Sequence, residues 1–203
     1  TKQALSAGHK VTAVCRQPSE ELERLDVQLI DGFDLLDFEN YKKKLSQLSN
    51  ESIDVLMNNA GVMRRCSIQS YQKENFLLQF QVNAMAPFFL TQALMDKLAP
   101  RAKVAIVTSR MGSIEDNTSG DSYSYRASKA AVNAIGKSLS IDLRDRGIAV
   151  GLIHPGYVKT DMTGHNGYIE PSQSAAQILD RVNELNLDNS GQFWHANGEL
   201  LPW

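Results

Sequence analysis

Along the chain, short apolar runs with strand character alternate with longer stretches of helical spacing. Strands are predicted at residues 11–15, 27–30, 53–57, 104–107, 148–153 and 192–195, where β-branched and other apolar residues cluster between turn formers. Helices are predicted at residues 2–7, ended by Gly8, and at 38–48, with Asp37 as N-cap. Others are predicted at 76–98, at 122–146, stopped by Gly147, and at 171–183. Pro87 falls inside the third, so a kink or break is expected there. Regular alternation of strand and helix argues for an α/β fold: a doubly wound Rossmann-type parallel sheet with helices on both faces. No repeat, low-complexity tract or linker interrupts residues 1–203, which read as one domain.

Composition narrows the field only a little. With 203 residues, 42% of them hydrophobic and 22% charged, the chain is long enough for one well-buried core. A net charge of −2 gives no electrostatic footprint for nucleic acid or an anionic membrane. No apolar run reaches membrane-spanning length. Cys15 and Cys66 make no ligand-spaced pair, so no metal site is expected, and a reducing, cytoplasmic setting is the simpler reading. The triplets Asn50–Ser52 and Asn117–Ser119 match the glycosylation pattern but are read as chance.

The densest chemistry lies at Tyr125-Arg126-Ala127-Ser128-Lys129. On a helix, Tyr125 and Lys129 project from one face a turn apart. A free phenol with a pKa of about 10 exchanges protons poorly near neutrality, and a neighbouring ammonium draws it downward. Tyr123 is a rival phenol, but it is six residues from Lys129 and faces elsewhere. Ser109 ends a predicted strand, the place where α/β sheets present ligands, and its hydroxyl suits a developing oxyanion. Ser113 follows it as a secondary candidate. Asn58-Asn59-Ala60-Gly61 forms a turn of small residues that admits a ligand to the backbone, although asparagines there also stitch strands together.

Taken in order, Asn58–Gly61, Asn83 opening Asn-Ala-Met-Ala-Pro, Ser109 in Ser-Arg-Met-Gly, Tyr125-x-x-x-Lys129 and Pro155-Gly156-Tyr157-Val158-Lys159-Thr160 resemble the short-chain dehydrogenase/reductase family. The resemblance covers essentially the whole chain. The closing Gly198-Glu199-Leu200-Leu201-Pro202-Trp203 is similar to the C-factor and sniffer-type carbonyl reductase branch. What this implies is a hydride transfer between NADP(H) and a small carbonyl or alcohol substrate. Tyr125 would exchange the proton, Ser109 would polarise the oxygen, Lys129 would tune Tyr125 and bind the nicotinamide ribose, and Asn83 would hold a water of the proton relay. Asn59, Ala60 and Gly61 would approach the adenosine ribose, with Asp34 and Leu35 near the adenine. The Val158 backbone and the Thr160 hydroxyl would bind the nicotinamide carboxamide, with Pro155 and Gly156 also at the cofactor. Arg16, ending the second strand of the family pattern where NAD enzymes carry an acid, suits the 2′-phosphate of NADP. Residues 63–70, 114–122 and 161–168 would build the substrate pocket, the last of them as a flap. A homodimer through the two long helices is expected, although Phe88, Phe89 and Leu90 serve equally as internal core.

One departure stands out. The family's glycine-rich cofactor turn and the strand before it do not occur in residues 1–203, so the first strand found corresponds to the family's second. The sheet is therefore expected to be split by a slot with unpaired backbone on both sides, and roughly 20 further residues are expected upstream of Thr1. A second reading follows from the same departure: a truncated, non-catalytic binding or signalling module.

Overall fold

The computed structural model describes residues 1–48 and 52–203; Asn50 and Glu51 of the first glycosylation-like triplet lie outside the described residues. Among these residues the strands are β1 (Thr12–Val14), β2 (Gln28–Ile30), β3 (Ile53–Asn58), β4 (Leu98–Val107), β5 (Ala149–His154) and β6 (Phe193–His195). The helices are α1 (Lys2–Ser6), α2 (Glu20–Glu23), α3 (Tyr41–Lys44), α4 (Lys73–Phe80), α5 (Ala86–Ala93), α6 (Tyr123–Asp142) and α7 (Pro171–Glu184). Each strand pairing is parallel, as the alternation of strands and helices requires. Side chains leave the sheet on alternate faces. Val104, Ile106 and Leu152 join one core cluster with Val132 and Leu139 of α6. The intervening Ala105 and Ile153 join another with Ile178 and Val182 of α7. The result is the doubly wound α/β architecture expected from the sequence.

The sheet divides where the sequence reading places a slot. β1 and β2 form a two-stranded sheet, and β3-β4-β5-β6 form a separate four-stranded one. Val14 on β1 is 37% exposed and Val55 on β3 is 41% exposed, unusual for β-branched residues of inner strands. Helix α1 buries no residue.

Several boundaries differ from the predicted ones, each for a local reason. The helix expected over 38–48 is α3 flanked by tighter 3-10 turns at Phe38–Asn40 and Leu45–Leu48. Asp37 holds the N-cap position of the first of these turns, but its carboxylate takes no backbone N–H; it accepts from Asn40 Nδ2 (2.7 Å) and pairs with Lys44 (3.1 Å). The long helix expected over 76–98 begins at Lys73 and is broken earlier than Pro87, by a π-helical turn at Gln81–Met85. Pro87 falls in the first turn of α5, where its missing N–H costs nothing. Residues 98–103, read as the end of that helix and a loop, already belong to β4. The pairing slips there, from Ile53 opposite Leu98 to Val55 opposite Lys103, and the irregularity accommodates Pro100 and the left-handed Arg101 (φ 67°). Helix α6 stops at Asp142, followed by a 3-10 turn before Gly147.

A short ladder with an open edge should open far more readily than the centre of a sheet. In hydrogen-exchange mass spectrometry, peptides covering β1 and β2 are expected to exchange at least about 100-fold faster than those covering β4 and β5. Equal protection would show that the two-stranded piece is held as tightly as the centre.

Candidate active site

The carboxyl ends of β3, β4 and β5 meet the first turns of α6. Ser109 follows β4 and opens the 3-10 turn Arg110–Gly112, accepting a hydrogen bond from Met111 N (3.2 Å). That turn lies directly on α6: a methyl group added at Gly112 would stand 2.8 Å from the Lys129 carbonyl carbon. Tyr125 is buried beside Ser109, whereas the rival Tyr123 is 46% exposed. Lys129 is also buried, and its Nζ donates to the Val107 carbonyl (3.0 Å) at the end of β4.

The electrostatics depart from the sequence expectation in one respect. Lys129 Nζ sits 5.9 Å from the centroid of the Tyr125 ring, with its hydrogen bond spent on Val107. Tyr125 is accordingly raised above the ordinary phenol value by burial, an effect only partly opposed by the nearby Ser109. Burial also lowers Lys129 to about 8. The ammonium therefore does not pull the phenol down in this arrangement.

His154, which the sequence reading passed over, ends β5 opposite His195 of β6, with ring centroids 4.9 Å apart. Burial, reinforced by His195, Arg110 and Lys129, pushes His154 down to about 3, so near neutrality it adds a polar group without charge. Its only cue in the sequence is its place at a strand end beside Pro155.

Asn83 lies in the π-helical turn, buried. Its Oδ1 accepts from Val62 N (2.8 Å), and its Nδ2 donates to Val62 O (2.9 Å) and to Ser128 Oγ (3.0 Å). The side chain is fully engaged in holding the segment after Gly61. A methyl at Gly61 would lie 3.4 Å from Asn83 Oδ1 and 3.6 Å from Lys129 Nζ, so this turn touches both. Ser113 is engaged elsewhere: its hydroxyl donates to Trp203 O (3.1 Å) and accepts from Asp116 N (3.0 Å), which makes it a strut of the loop.

The candidate cofactor residues lie along the carboxyl edges of both sheets. Asn59 and Ala60 are exposed after β3. After β5, Pro155 O accepts from Ser174 Oγ (2.7 Å), and Gly156 takes φ +89° where a Cβ would meet Ile169 at 2.7 Å. Val158 bridges Ile169, and Thr160 N donates to Thr163 Oγ1 (3.1 Å), closing the base of the flap. Arg16 is exposed beyond β1, with no ion pair among the described residues. Asp34 turns back to accept from Leu36 N (2.9 Å), while Leu35 packs against the core, so its side chain is structural. Arg16 follows β1, and Asp34 and Leu35 follow β2, so all three come after strands of the smaller sheet, whereas Ser109 follows β4 of the larger one and Tyr125 and Lys129 lie on α6.

The depressed value of Lys129, about 8 against 10.5 for the free group, fixes a pH dependence. Below pH 8 Lys129 is charged in both states and the folded state bears the whole penalty. Between 8 and 10.5 the unfolded chain binds the extra proton, so this contribution to stability rises with pH. In urea unfolding, the stability of the wild type relative to Lys129→Met is expected to improve from pH 8 to pH 10. A difference that does not vary with pH would contradict the burial of the ammonium.

Comparison with known proteins places the chain in a family. The C-signal protein of Myxococcus xanthus is 40% identical over 154 residues, 74% of this chain and 93% of its own length. The carbonyl reductase Sniffer of D. melanogaster superposes with a TM-score of 0.89 at 31% identity, over 96% of this chain and 88% of that one. The NADPH-bound carbonyl reductase from chicken fatty liver superposes with a TM-score of 0.87 at 27% identity, again over 96% and 88%. The family model described as short chain dehydrogenase matches residues 1–168, and the chain belongs to that family of oxidoreductases, with C-factor-like and sniffer-like relatives.

Proposed function

We propose that this domain catalyses hydride transfer between NADP(H) and a carbonyl or alcohol substrate, through Asn83, Ser109, Tyr125 and Lys129. The observation that carries the reading is the buried Tyr125 phenol, placed beside Ser109 and with the Lys129 ammonium 5.9 Å from the centre of its ring. When bound, the nicotinamide supplies the hydride to the carbonyl carbon. Ser109 donates a hydrogen bond to the carbonyl oxygen as charge develops on it, and Tyr125 delivers the proton that completes the alcohol. The phenolate left behind would need the Lys129 ammonium to turn toward it once cofactor and substrate are in place, and water entering from solvent restores the proton. Burial keeps the phenol protonated until the oxyanion forms, and the driving force for transfer comes from the basicity of the alkoxide made by the arriving hydride.

The residues present fit a nicotinamide dinucleotide at both of its ends. Gly61 offers close backbone approach beside Asn83 and Lys129, the Pro155–Thr160 segment follows the end of β5, and Arg16 presents an exposed guanidinium. That guanidinium, together with the NADPH held by the chicken liver relative, supports NADP over NAD. The exposed apolar residues Leu77, Met85 and Phe88 of the α4–α5 segment, with Ile141 of α6, support a homodimer through these helices. No helix among the described residues is long and apolar enough to cross a membrane, and a cytoplasmic setting goes with this reading. A second reading, a non-catalytic binding or signalling module, draws on the division between β1 and β3 and on the unburied α1. Absence of NADPH binding by a folded chain would favour it.

In the intact protein, Tyr125→Phe is expected to lower kcat for carbonyl reduction about 10²–10⁴-fold while NADPH affinity stays nearly unchanged. Turnover within tenfold of the wild type would rule out Tyr125 as the proton donor. Arg16→Ala is expected to weaken NADPH about 10–100-fold and NADH much less, in line with losing one charge-assisted contact. Equal weakening of both would remove the case for NADP.

A further inference from the structure

The segment that leaves Gly61 is held by two side-chain amides, and only one of them belongs to the set of residues discussed so far. Asn83 pairs with both backbone groups of Val62. Gln79, one turn earlier, repeats the arrangement two residues further along: Arg64 N donates to Gln79 Oε1 (2.9 Å), and Gln79 Nε2 donates to Arg64 O (3.2 Å). The spacings match. In an extended segment, residues two apart turn their N–H and C=O to the same edge about 6.7 Å apart. Helix positions four apart are separated by about 6 Å. The amides thus read alternate residues as a neighbouring strand would.

The repetition continues on the other side. Asn83 Nδ2 reaches Ser128 Oγ (3.0 Å), and Gln79 Nε2 reaches Ser124 Oγ (2.6 Å). Ser124 and Ser128 are also four residues apart, one turn of α6, and Tyr125 stands between them. Ser128 Oγ in turn donates to Tyr125 O (2.8 Å), and Ser124 N to Cys66 Sγ (3.4 Å). All four polar side chains are at most 1% exposed, so each unmade bond would leave a polar group without water.

We propose that Gln79 and Ser124 form a second rung beside Asn83 and Ser128, and that they are positioning residues for Tyr125 and for the substrate-side segment 62–66. The second rung ties the start of α6 to that segment. It thereby fixes the distance between the phenol and the wall against which the substrate rests. The catalytic half of this proposal rests on Tyr125 being the proton donor; the ladder itself does not.

The test compares wild type, Gln79→Met and Ser124→Ala in the intact protein, with two readouts. Gln79→Met keeps the volume but removes both bonds to Arg64, the bond to Asn75 O (3.1 Å) and the cross-tie. Ser124→Ala removes the cross-tie and the hydroxyl's contact with Cys66 Sγ (3.3 Å) but leaves the Gln79 bonds to Arg64, and it places a good helix former in α6, so it remains available if the first variant fails to fold. Hydrogen exchange of the peptide covering 62–66 is expected to rise about tenfold or more in Gln79→Met, and less in Ser124→Ala, while β4 and β5 keep their protection. With an aromatic ketone and NADPH, kcat is expected to fall about tenfold in Ser124→Ala with the Kd for NADPH unchanged, a split that general loosening of the fold would not produce. Unchanged exchange at 62–66 in either folded variant would overturn the ladder. Raised exchange with a wild-type kcat would overturn the positioning role. A wild type that binds NADPH yet reduces no carbonyl compound would sink the reductase reading, and with it the catalytic half.

Discussion

Helix α6 approaches the four-stranded sheet more closely than ordinary side chains allow, and the arrangement of the candidate site depends on that approach. A methyl at Gly136 would stand 2.6 Å from Leu152 Cδ2 on β5, and one at Gly112 would stand 2.8 Å from the Lys129 backbone. Glycine at both points lets the helix settle against β4 and β5. The helix has little freedom to slide, because Val132 and Leu139 are locked into the same core as Val104, Ile106 and Leu152. The close approach carries Tyr125 and Lys129 to the carboxyl edge and removes both from water.

Removal from water decides the state of the two groups. A buried phenol resists ionisation and a buried ammonium resists protonation, so desolvation moves the pair in opposite directions. The Val107 carbonyl gives Lys129 one hydrogen bond, and this directs the ammonium toward the strand end. The phenol keeps its proton and its contact with Ser109. A proton donor held neutral beside a cation is suited to a reaction in which negative charge appears on the substrate oxygen only as hydride arrives. Around this pair the polar groups are almost all committed: Asn83 to Val62 and Ser128, Gln79 to Arg64 and Ser124, Ser113 to Trp203. Such saturation leaves Ser109 and Tyr125 as the groups able to turn toward a substrate.

Much of the architecture was legible in the sequence because the apolar period changes cleanly between strand and helix, as at Ile53–Asn58 and along α6. The positions of Ser109, Tyr125 and Lys129 were legible for a related reason: each sits at a fixed place relative to a strand end or a helix start. The division of the sheet between β1 and β3 was legible from the number of strands before Ile53. What escaped depends on partners distant in the chain. The π-helical turn at Gln81–Met85 contains Asn83, whose partners lie 21 and 45 residues away, and no local signal marks it. Gln79 stands a helical turn before Asn83, a spacing that could have singled it out, yet the serine it meets is 45 residues away. The direction of the Lys129 ammonium required knowing where the Val107 carbonyl ends up. The early start of β4 was hidden by Pro100, which local rules assign to a loop.

The claim on which the rest turns is that burial, rather than the neighbouring ammonium, sets the protonation of Tyr125 in the cofactor-free protein. The direct measurement is an NMR titration of ring-carbon-labelled tyrosine, with Tyr125→Phe used to assign the signal. The account predicts that Tyr125 remains protonated beyond the ordinary phenol value of about 10. A midpoint below that value would contradict it, and would mean that the ammonium of Lys129 already acts on the phenol oxygen before any cofactor binds.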